Sequence, residues 1–301
     1  MSMPISKVVV AAYKKDFWLV EICLSSIRYW YPDIPVAIVY DYSKGTVDFS
    51  HVKREYNAEI IDLPIKNFGW GLSKIEYLFL PTNEKVLILD ADTILLGPVI
   101  DYLNSFDADF IISADHHAEP YAKWMNECYF DYAALQKFDK SFQFPGYSFN
   151  TGQFVATTGK LKREDFNRVI NWKEFPEILQ PSIFSCVDQG ILNYVLPLEK
   201  SKAKITLVKA DILMGIRYAA AEKLKVEDLR QKINSSHYIL HWAGSNTNSL
   251  RFMQRNDLLK FFRNRNKGFL QILNLEKDEL VRYCKYQKVR VVNKLKRMIN
   301  G

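Results

Sequence analysis

The chain predicts an α/β fold built on a mostly parallel, doubly wound sheet flanked by helices. Strand-like and helix-like segments alternate through the first hundred residues, the pattern of parallel sheets. The apolar run Val86-Leu87-Ile88-Leu89 stops at two carboxylates, Asp90 and Asp92. In open α/β sheets, the carboxyl ends of strands are where ligands bind.

Residues 6–12 read as a first, buried strand. A helix follows over 17–30, with Leu19, Ile22, Cys23, Ser26, Ile27 and Trp30 on one side, and Tyr31-Pro32-Asp33-Ile34-Pro35 breaks it. Residues 36–40 and 59–63 are the next strands. A helix over 73–80 ends before Pro81, and 85–89 is the strand that leads to the acidic pair. Residues 109–113 form another short strand. The stretch 116–147 is aromatic-rich and irregular, with Tyr121, Trp124, Tyr129, Phe130 and Tyr132. Later strands are expected at 154–157 and 238–242, and helices at 160–171 and 187–196. No repeat or low-complexity linker divides the chain before about Leu250, which sets off residues 1–250 from a helical segment, 251–301.

No stretch approaches the ~18–20 consecutive apolar residues of a membrane span. The run Val8-Val9-Val10-Ala11-Ala12 is too short for a signal-peptide core and is ended by Lys14-Lys15. Cys23, Cys128, Cys186 and Cys284 lie far apart without a C-x-x-C pair, so neither zinc nor a disulfide framework is expected, and a cytoplasmic location fits. The net charge is +7, and Lys277–Gly301 carries eight basic residues against two acidic ones. The rest of the chain is therefore nearly neutral, which argues against nucleic acid as a partner. Val281, Cys284, Val291, Val292, Leu295, Met298 and Ile299 recur in that tail mainly at spacings of three and four. A basic amphipathic helix of this kind suits peripheral contact with an anionic membrane, here its inner face. A solvated C-terminal helix fits the same composition.

Asp90 and Asp92 are spaced i, i+2, so in extended backbone both carboxylates face one spot. Two adjacent anions call for a neutralising cation, and the pair reads as half of a divalent-metal site. Three further segments follow in order: Asn150-Thr151-Gly152, Asp188-Gln189-Gly190, and His241-Trp242-Ala243-Gly244. Asn150 both donates to and accepts from hydroxyls, Gly152 permits close backbone approach, and Asp188 also suits the start of a helix.

Together with the first strand, this ordered set resembles the GT-A glycosyltransferases, most closely the retaining enzymes of family 8 (galactosyltransferase and glycogenin-like), over roughly residues 6–250. The resemblance implies a GT-A, Rossmann-like sheet and metal-dependent sugar transfer with retention. The donor would be a nucleotide sugar, UDP-linked, and the acceptor a saccharide or lipid-linked saccharide in cell-surface glycan synthesis. It implies Asp90, Asp92 and His241 as ligands of Mn²⁺ or Mg²⁺, the imidazole favouring Mn²⁺. It places Asn150, Asp188 and Gln189 at the sugar as catalytic candidates, with Gly152 and Asp115 beside them. Ala11, Ala12 and Tyr13 would meet the base, and Lys74, Ala91 and Gly244 the nucleotide diphosphate. An ordinary strand-end tyrosine and a solvated helix-start lysine fit Tyr13 and Lys74 equally.

Two departures stand out. The family usually continues its His-x-x-Gly segment into Lys-Pro-Trp, whereas Gly244 here leads through Ser245-Asn246-Thr247-Asn248-Ser249-Leu250 to Arg251. Arg251 or Lys74 is the candidate replacement for that lysine. An acidic residue is also common just after the first strand, where this chain has Tyr13-Lys14-Lys15.

Other classes fit less well. A haloacid-dehalogenase-like phosphatase needs Thr or Val at the position of Ile94, and its motif on the first strand. A sugar nucleotidyltransferase needs a glycine-rich first loop, and Val8–Leu19 contains no glycine. An inactive saccharide-binding or membrane-surface protein of the same fold would have no need of both carboxylates, Asn150, Asp188, Gln189 and His241.

Overall fold

In the computed structural model, β1 (Lys7–Tyr13), α1 (Phe17–Trp30), β2 (Val36–Asp41), α2 (Ser50–Tyr56), β3 (Ala58–Ile60), α3 (Leu72–Leu78) and β4 (Lys85–Asp90) alternate through the first ninety residues. The structure describes residues 3–69, 71–115, 120–121, 123–232 and 236–300, without the side chains of 115 and 293–300. The chain continues through β5 (Thr93–Leu95), α4 (Val99–Leu103), β6 (Phe110–Asp115), α5 (Lys123–Cys128), α6 (Tyr132–Phe138) and β7 (Ser148–Thr157). A small hairpin of β8 (Ile170–Asn171) and β9 (Glu177–Ile178) leads to α7 (Val187–Ser201) and β10 (Leu207–Lys209). The last elements are β11 (Leu213–Gly215), α8 (Ala219–Glu222), α9 (Val226–Gln231), β12 (Ile239–His241), α10 (Asn256–Asn264) and α11 (Phe269–Asn300).

Seven strands form the central sheet in the order β10-β6-β7-β4-β1-β2-β3. Only β7 runs antiparallel to its neighbours, β4 and β6. The strands are apolar on both faces because both are covered. Val8, Val10, Leu87 and Leu89 enter one core with α1 and α10. Val9, Val86 and Ile88 enter the other with α3 and α7. Each such side chain contributes ~1.5–3 kcal/mol by leaving water. α1 stops at Tyr31 because the residue before Pro32 is pushed out of helical geometry. Arg28 then pins the turn, donating to the carbonyls of Tyr56 (3.0 Å from Nε) and Ile34 (2.5 Å from Nη1).

A second sheet, β11-β12-β5, crosses the carboxyl end of β4. β12 pairs parallel with β11 and antiparallel with β5, placing His241 opposite both Gly215 and Thr93. This pairing closes the site described below.

Several expectations change, among them the irregular stretch 116–147, which contains the short helices α5 and α6, the latter capped by Asp131. Residues 160–171 are not a helix but a single 3-10 turn, Arg163–Phe166, followed by β8. The Asp165 carboxylate accepts the Lys162 N–H at 2.8 Å and closes that turn. Leu161, Phe166, Val169 and Ile170 are all buried, so these apolar residues pack an irregular segment instead of forming a helical stripe. The strand expected at 154–157 begins at Ser148, so Asn150, Thr151 and Gly152 lie within β7 and not in a turn before it. Its register against β6 shifts between Ile112 and Ala114, and that irregularity hides the strand in the sequence.

Candidate active site

Asp90 ends β4, and Asp92 sits in the turn to β5. The Thr93 hydroxyl donates to the Asp90 carbonyl at 2.8 Å, closing the turn. Convergence of the carboxylates therefore comes from a turn and not from two residues of extended strand. The backbone N–H of Trp242 donates to the Asp92 carbonyl at 3.1 Å, so β12 is stitched to this turn. His241 Nε2 consequently lies 3.2 Å from Asp92 Oδ1. One ligand atom from each of Asp90, Asp92 and His241 falls within 4.8 Å of the others.

The donor set fits a divalent ion. Two carboxylates and an imidazole suit a hard-to-borderline cation. His241 Nε2 and Asp92 Oδ1, 3.2 Å apart, are close enough to be shared by one ion with Asp90. Burial disfavours the His241 cation, but the Asp92 carboxylate outweighs it and raises the imidazole pKa. Burial likewise penalises the Asp92 carboxylate, which His241 nevertheless holds below the usual range.

Gly152 makes room for this histidine. A Cβ at Gly152 would stand 2.1 Å from His241 Cε1 and 2.6 Å from Nδ1. Gly152→Ala is therefore expected to push the imidazole off Asp92 and weaken divalent-ion affinity about 10–100-fold, the range for disturbed support of a metal ligand. Calorimetric titration with Mn²⁺ checks this.

Lys74 ties the acidic pair to the next motif. It is 3% exposed, and its Nζ lies 2.7 Å from Asp90 Oδ1 and 2.7 Å from Asp188 Oδ2. It also donates to the Thr151 carbonyl at 3.0 Å. Burial works against its charge, but Asp188 and Asp90 prevail and raise its pKa. Lys74 is thus neither a solvated helix-start lysine nor a cation facing outward.

Asp188 lies in the first turn of α7 and accepts the Thr151 hydroxyl at 2.9 Å. It does not cap its helix, whose N-cap is Cys186. Gly71, at φ +75°, lets it in, since a Cβ there would stand 2.5 Å from its carboxyl carbon. Gln189 Oε1 accepts from Asn150 Nδ2 at 3.0 Å, and Nε2 donates to the Cys128 carbonyl at 2.9 Å. Asn150 Oδ1 in turn accepts the Gly152 N–H at 2.8 Å. Asn150, Gln189, Asp188, Lys74 and Asp90 are therefore bound to one another directly or through the Thr151 residue between them.

At the end of β1, Ala11 and Ala12 are buried and Tyr13 is half-buried. The sequence gives no weight to Asp16, yet this residue folds back so that Oδ1 accepts the Tyr13 N–H at 3.0 Å. Burial pushes its carboxyl up to about 8, and the charges of Asp92 and Asp90 push the same way. An acid expected directly after the strand is thus present three positions later. Between about pH 4 and 8 the metal-free folded state retains this proton while the unfolded chain has lost it. Stability must then fall as pH rises through that window. Asp16→Asn keeps the backbone contact, and should raise the melting temperature of metal-free protein by about 2 °C or more at pH 8. No change is expected at pH 4.

Near Gly244 (φ +66°) the structure supplies a cation that no motif in the sequence marks. Arg217 Nη2 donates to the Gly244 carbonyl at 3.1 Å from the loop after β11. Arg251 turns elsewhere, its guanidinium 5.3 Å from the centre of the Tyr283 ring. Ala91 is buried within the β4–β5 turn. The Asp115 side chain, like His116 and His117, lies outside the described residues. In the aromatic stretch Met125, Tyr129 and Phe130 are core, whereas Tyr121 is 71% exposed against the edge of Tyr132.

The fold is the GT-A glycosyltransferase fold, similar to that of family 8. Solved structures show the likeness. The bifunctional glycosyltransferase WbbM matches with a TM-score of 0.55 at 13% identity, over 91% of this chain and 51% of its own. GlyE of Streptococcus pneumoniae TIGR4 matches at 0.52 and 15%, over 92% and 64%. The galactosyltransferase LgtC, solved with donor and acceptor sugar analogs, matches at 0.50 and 15%, over 87% and 97%. This chain thus spans about half of WbbM and nearly two thirds of GlyE. Neither protein-family models nor curated proteins match the sequence.

Proposed function

We propose that the chain is a metal-dependent glycosyltransferase moving a sugar from a UDP-linked donor to a saccharide or lipid-linked saccharide, with retention, in cell-surface glycan synthesis. The observation that carries this reading is the meeting of Asp90, Asp92 and His241 at the carboxyl end of β4. In it, residues 1–250 form the catalytic domain and 251–301 a helical tail. Asp90, Asp92 and His241 would hold Mn²⁺ or Mg²⁺, which when bound supplies Lewis acidity at the diphosphate leaving group.

The remaining chemistry belongs to side chains. Ala11, Ala12 and Tyr13 would meet the base, the half-buried Tyr13 ring following the two buried alanines beside Asp16. Asp188 takes a sugar hydroxyl, its rotamer held by Lys74 and Thr151. Asn150 and Gln189 fix each other on the same wall, where the Asn150 side chain also accepts from Gly152, and the resemblance that gives this reading also assigns Asp115 to the sugar. Because Asp188 is engaged by Lys74 and Thr151, and Gln189 is a neutral amide bonded to Asn150, neither is assigned as a nucleophile. A front-face route, in which the leaving phosphate oxygen takes the acceptor proton, needs none. Tyr121 offers an exposed ring to the acceptor sugar.

Arg217, beside Gly244, would take the place of the family's lysine at the diphosphate, to which Ala91 is also assigned. Arg217→Ala should raise the KM for the donor about tenfold while changing kcat little, the signature of a lost charge-assisted contact of ~1.4 kcal/mol. The basic tail would keep the enzyme peripheral at the inner face of the membrane, near a lipid-linked acceptor. Hydrolysis and transfer assays with a panel of UDP-, GDP- and CDP-sugars test the reading. Mn²⁺-dependent, EDTA-sensitive turnover of a UDP-sugar is expected. Absence of turnover across the panel, with no thermal stabilisation by any donor, would reject it.

A further inference from the structure

α11 is a helix with a docked face and an outward face. One docks on the domain: Arg263 pairs with Glu276, and Ser249 and Arg282 bond the buried carboxylate of Glu279. Arg282 also covers the Trp18 ring at 4.8 Å, and Phe252 stacks on Tyr283 at 5.2 Å. Among the described side chains, the apolar residues of the outward face are exposed. Phe269 and Leu270 are 75% and 74% exposed, and Leu273, Leu280, Val281 and Val291 continue the exposed series. At 100° per residue, Leu270, Val281 and Val292 lie opposite the buried Glu279, with Leu273, Leu280 and Val291 beside them and Phe269 at the margin next to Glu276. Exposed Lys277, Lys285, Lys288 and Arg290 stand among or beside them.

We infer that this outward face lies in the interface of an anionic bilayer, with Phe269, Leu270 and Leu273 as its inserted end. The inference rests on the reading of the basic tail as a membrane contact and extends that contact eight residues upstream of Lys277. Charge complementarity selects the bilayer over a second copy of the chain. Two such faces would bring lysine against lysine, whereas anionic headgroups neutralise them. The helix lies on the surface, since no described helix is long and apolar enough to cross a membrane. The docked face fixes the catalytic domain to that surface, because Arg282 grips Trp18, two residues beyond Asp16.

The test is co-sedimentation of the full chain with phosphatidylglycerol–phosphatidylcholine vesicles and with phosphatidylcholine vesicles alone. Wild type should bind the anionic vesicles only. Phe269→Asp with Leu270→Asp should weaken partitioning tenfold or more, as should Lys277→Gln with Lys285→Gln and Lys288→Gln. Both variants replace exposed side chains, and UDP-sugar turnover without vesicles should match wild type. If the Phe269/Leu270 variant partitions like wild type while deletion of residues 277–301 abolishes binding, the inserted end is wrong and the tail reading survives. If wild type binds neither vesicle, both fall, and the glycosyltransferase reading is untouched. A dimer in light scattering that the same double variant dissociates, with vesicle binding unchanged, would overturn the inference in favour of a second copy.

Discussion

Asp92→Ala is expected to lower Mn²⁺-dependent sugar transfer by at least about 10²–10³-fold in kcat, the scale for removing one preorganised electrostatic contact, while the protein stays folded. Two features make this residue the sharper probe of the pair. Its carboxylate faces His241 Nε2 at 3.2 Å, so its loss removes one ligand and the partner that orients another. Its backbone carbonyl still accepts from Trp242, so the stitch between the two sheets survives. His241 loses the anion that raises its pKa, and the imidazole should titrate lower in the variant, as proton NMR of its ring would show. Wild-type turnover by Asp92→Ala, with an unchanged melting temperature, would end the metal role assigned to this carboxylate.

Lys74→Met should be the most destabilising single substitution at the site, by about 3–5 kcal/mol, the usual cost of removing one member of a buried ion pair. The substitution leaves Asp90 and Asp188 without the cation between them and the Thr151 carbonyl without its donor. The sign of the pH dependence follows. With the cation gone, nothing from Lys74 offsets the burial that already holds the Asp90 carboxyl above its ordinary range. The penalty is then absent below about pH 4 and appears as pH climbs above that value. Urea unfolding at pH 4 and pH 7 should show wild type and variant nearly equal in the first case and far apart in the second. Adding Asp188→Asn should restore much of the stability but not the activity, separating the structural from the sugar-binding part of this network. An equal loss at both pH values would instead attribute the effect to packing.

The elements that the sequence makes legible are those whose cause is local. α1 runs over the expected residues because its buried stripe lies within it and Pro32 stands just past its end, and β4 is visible as an apolar run that ends at acids. Residues 160–171 mislead because their apolar positions serve an irregular, tertiary packing that mimics helical spacing. The site follows the same division. Asp90, Asp92, Asn150, Asp188 and His241 can be named from ordered motifs, but the reason His241 reaches Asp92 is the β5–β12 pairing across some 150 residues. Arg217 is invisible for the same reason: only the pairing of β11 with β12 brings it to Gly244. Asp16 is missed because a carboxylate that folds back on Tyr13 has no marker beyond proximity in sequence. Lys74 is named, but its burial between two acids depends on Gly71 and α7, which no local pattern reveals.

The central claim is that Asp90, Asp92 and His241 hold a divalent ion against a nucleoside diphosphate, and titration of Mn²⁺ into the protein with and without UDP, followed by the electron paramagnetic resonance of free Mn²⁺, tests it most directly. One Mn²⁺ should bind per chain, tighter with UDP present, and Asp92→Ala should abolish that binding. Mn²⁺ uptake that is the same in Asp92→Ala as in wild type, and indifferent to UDP, would contradict the claim.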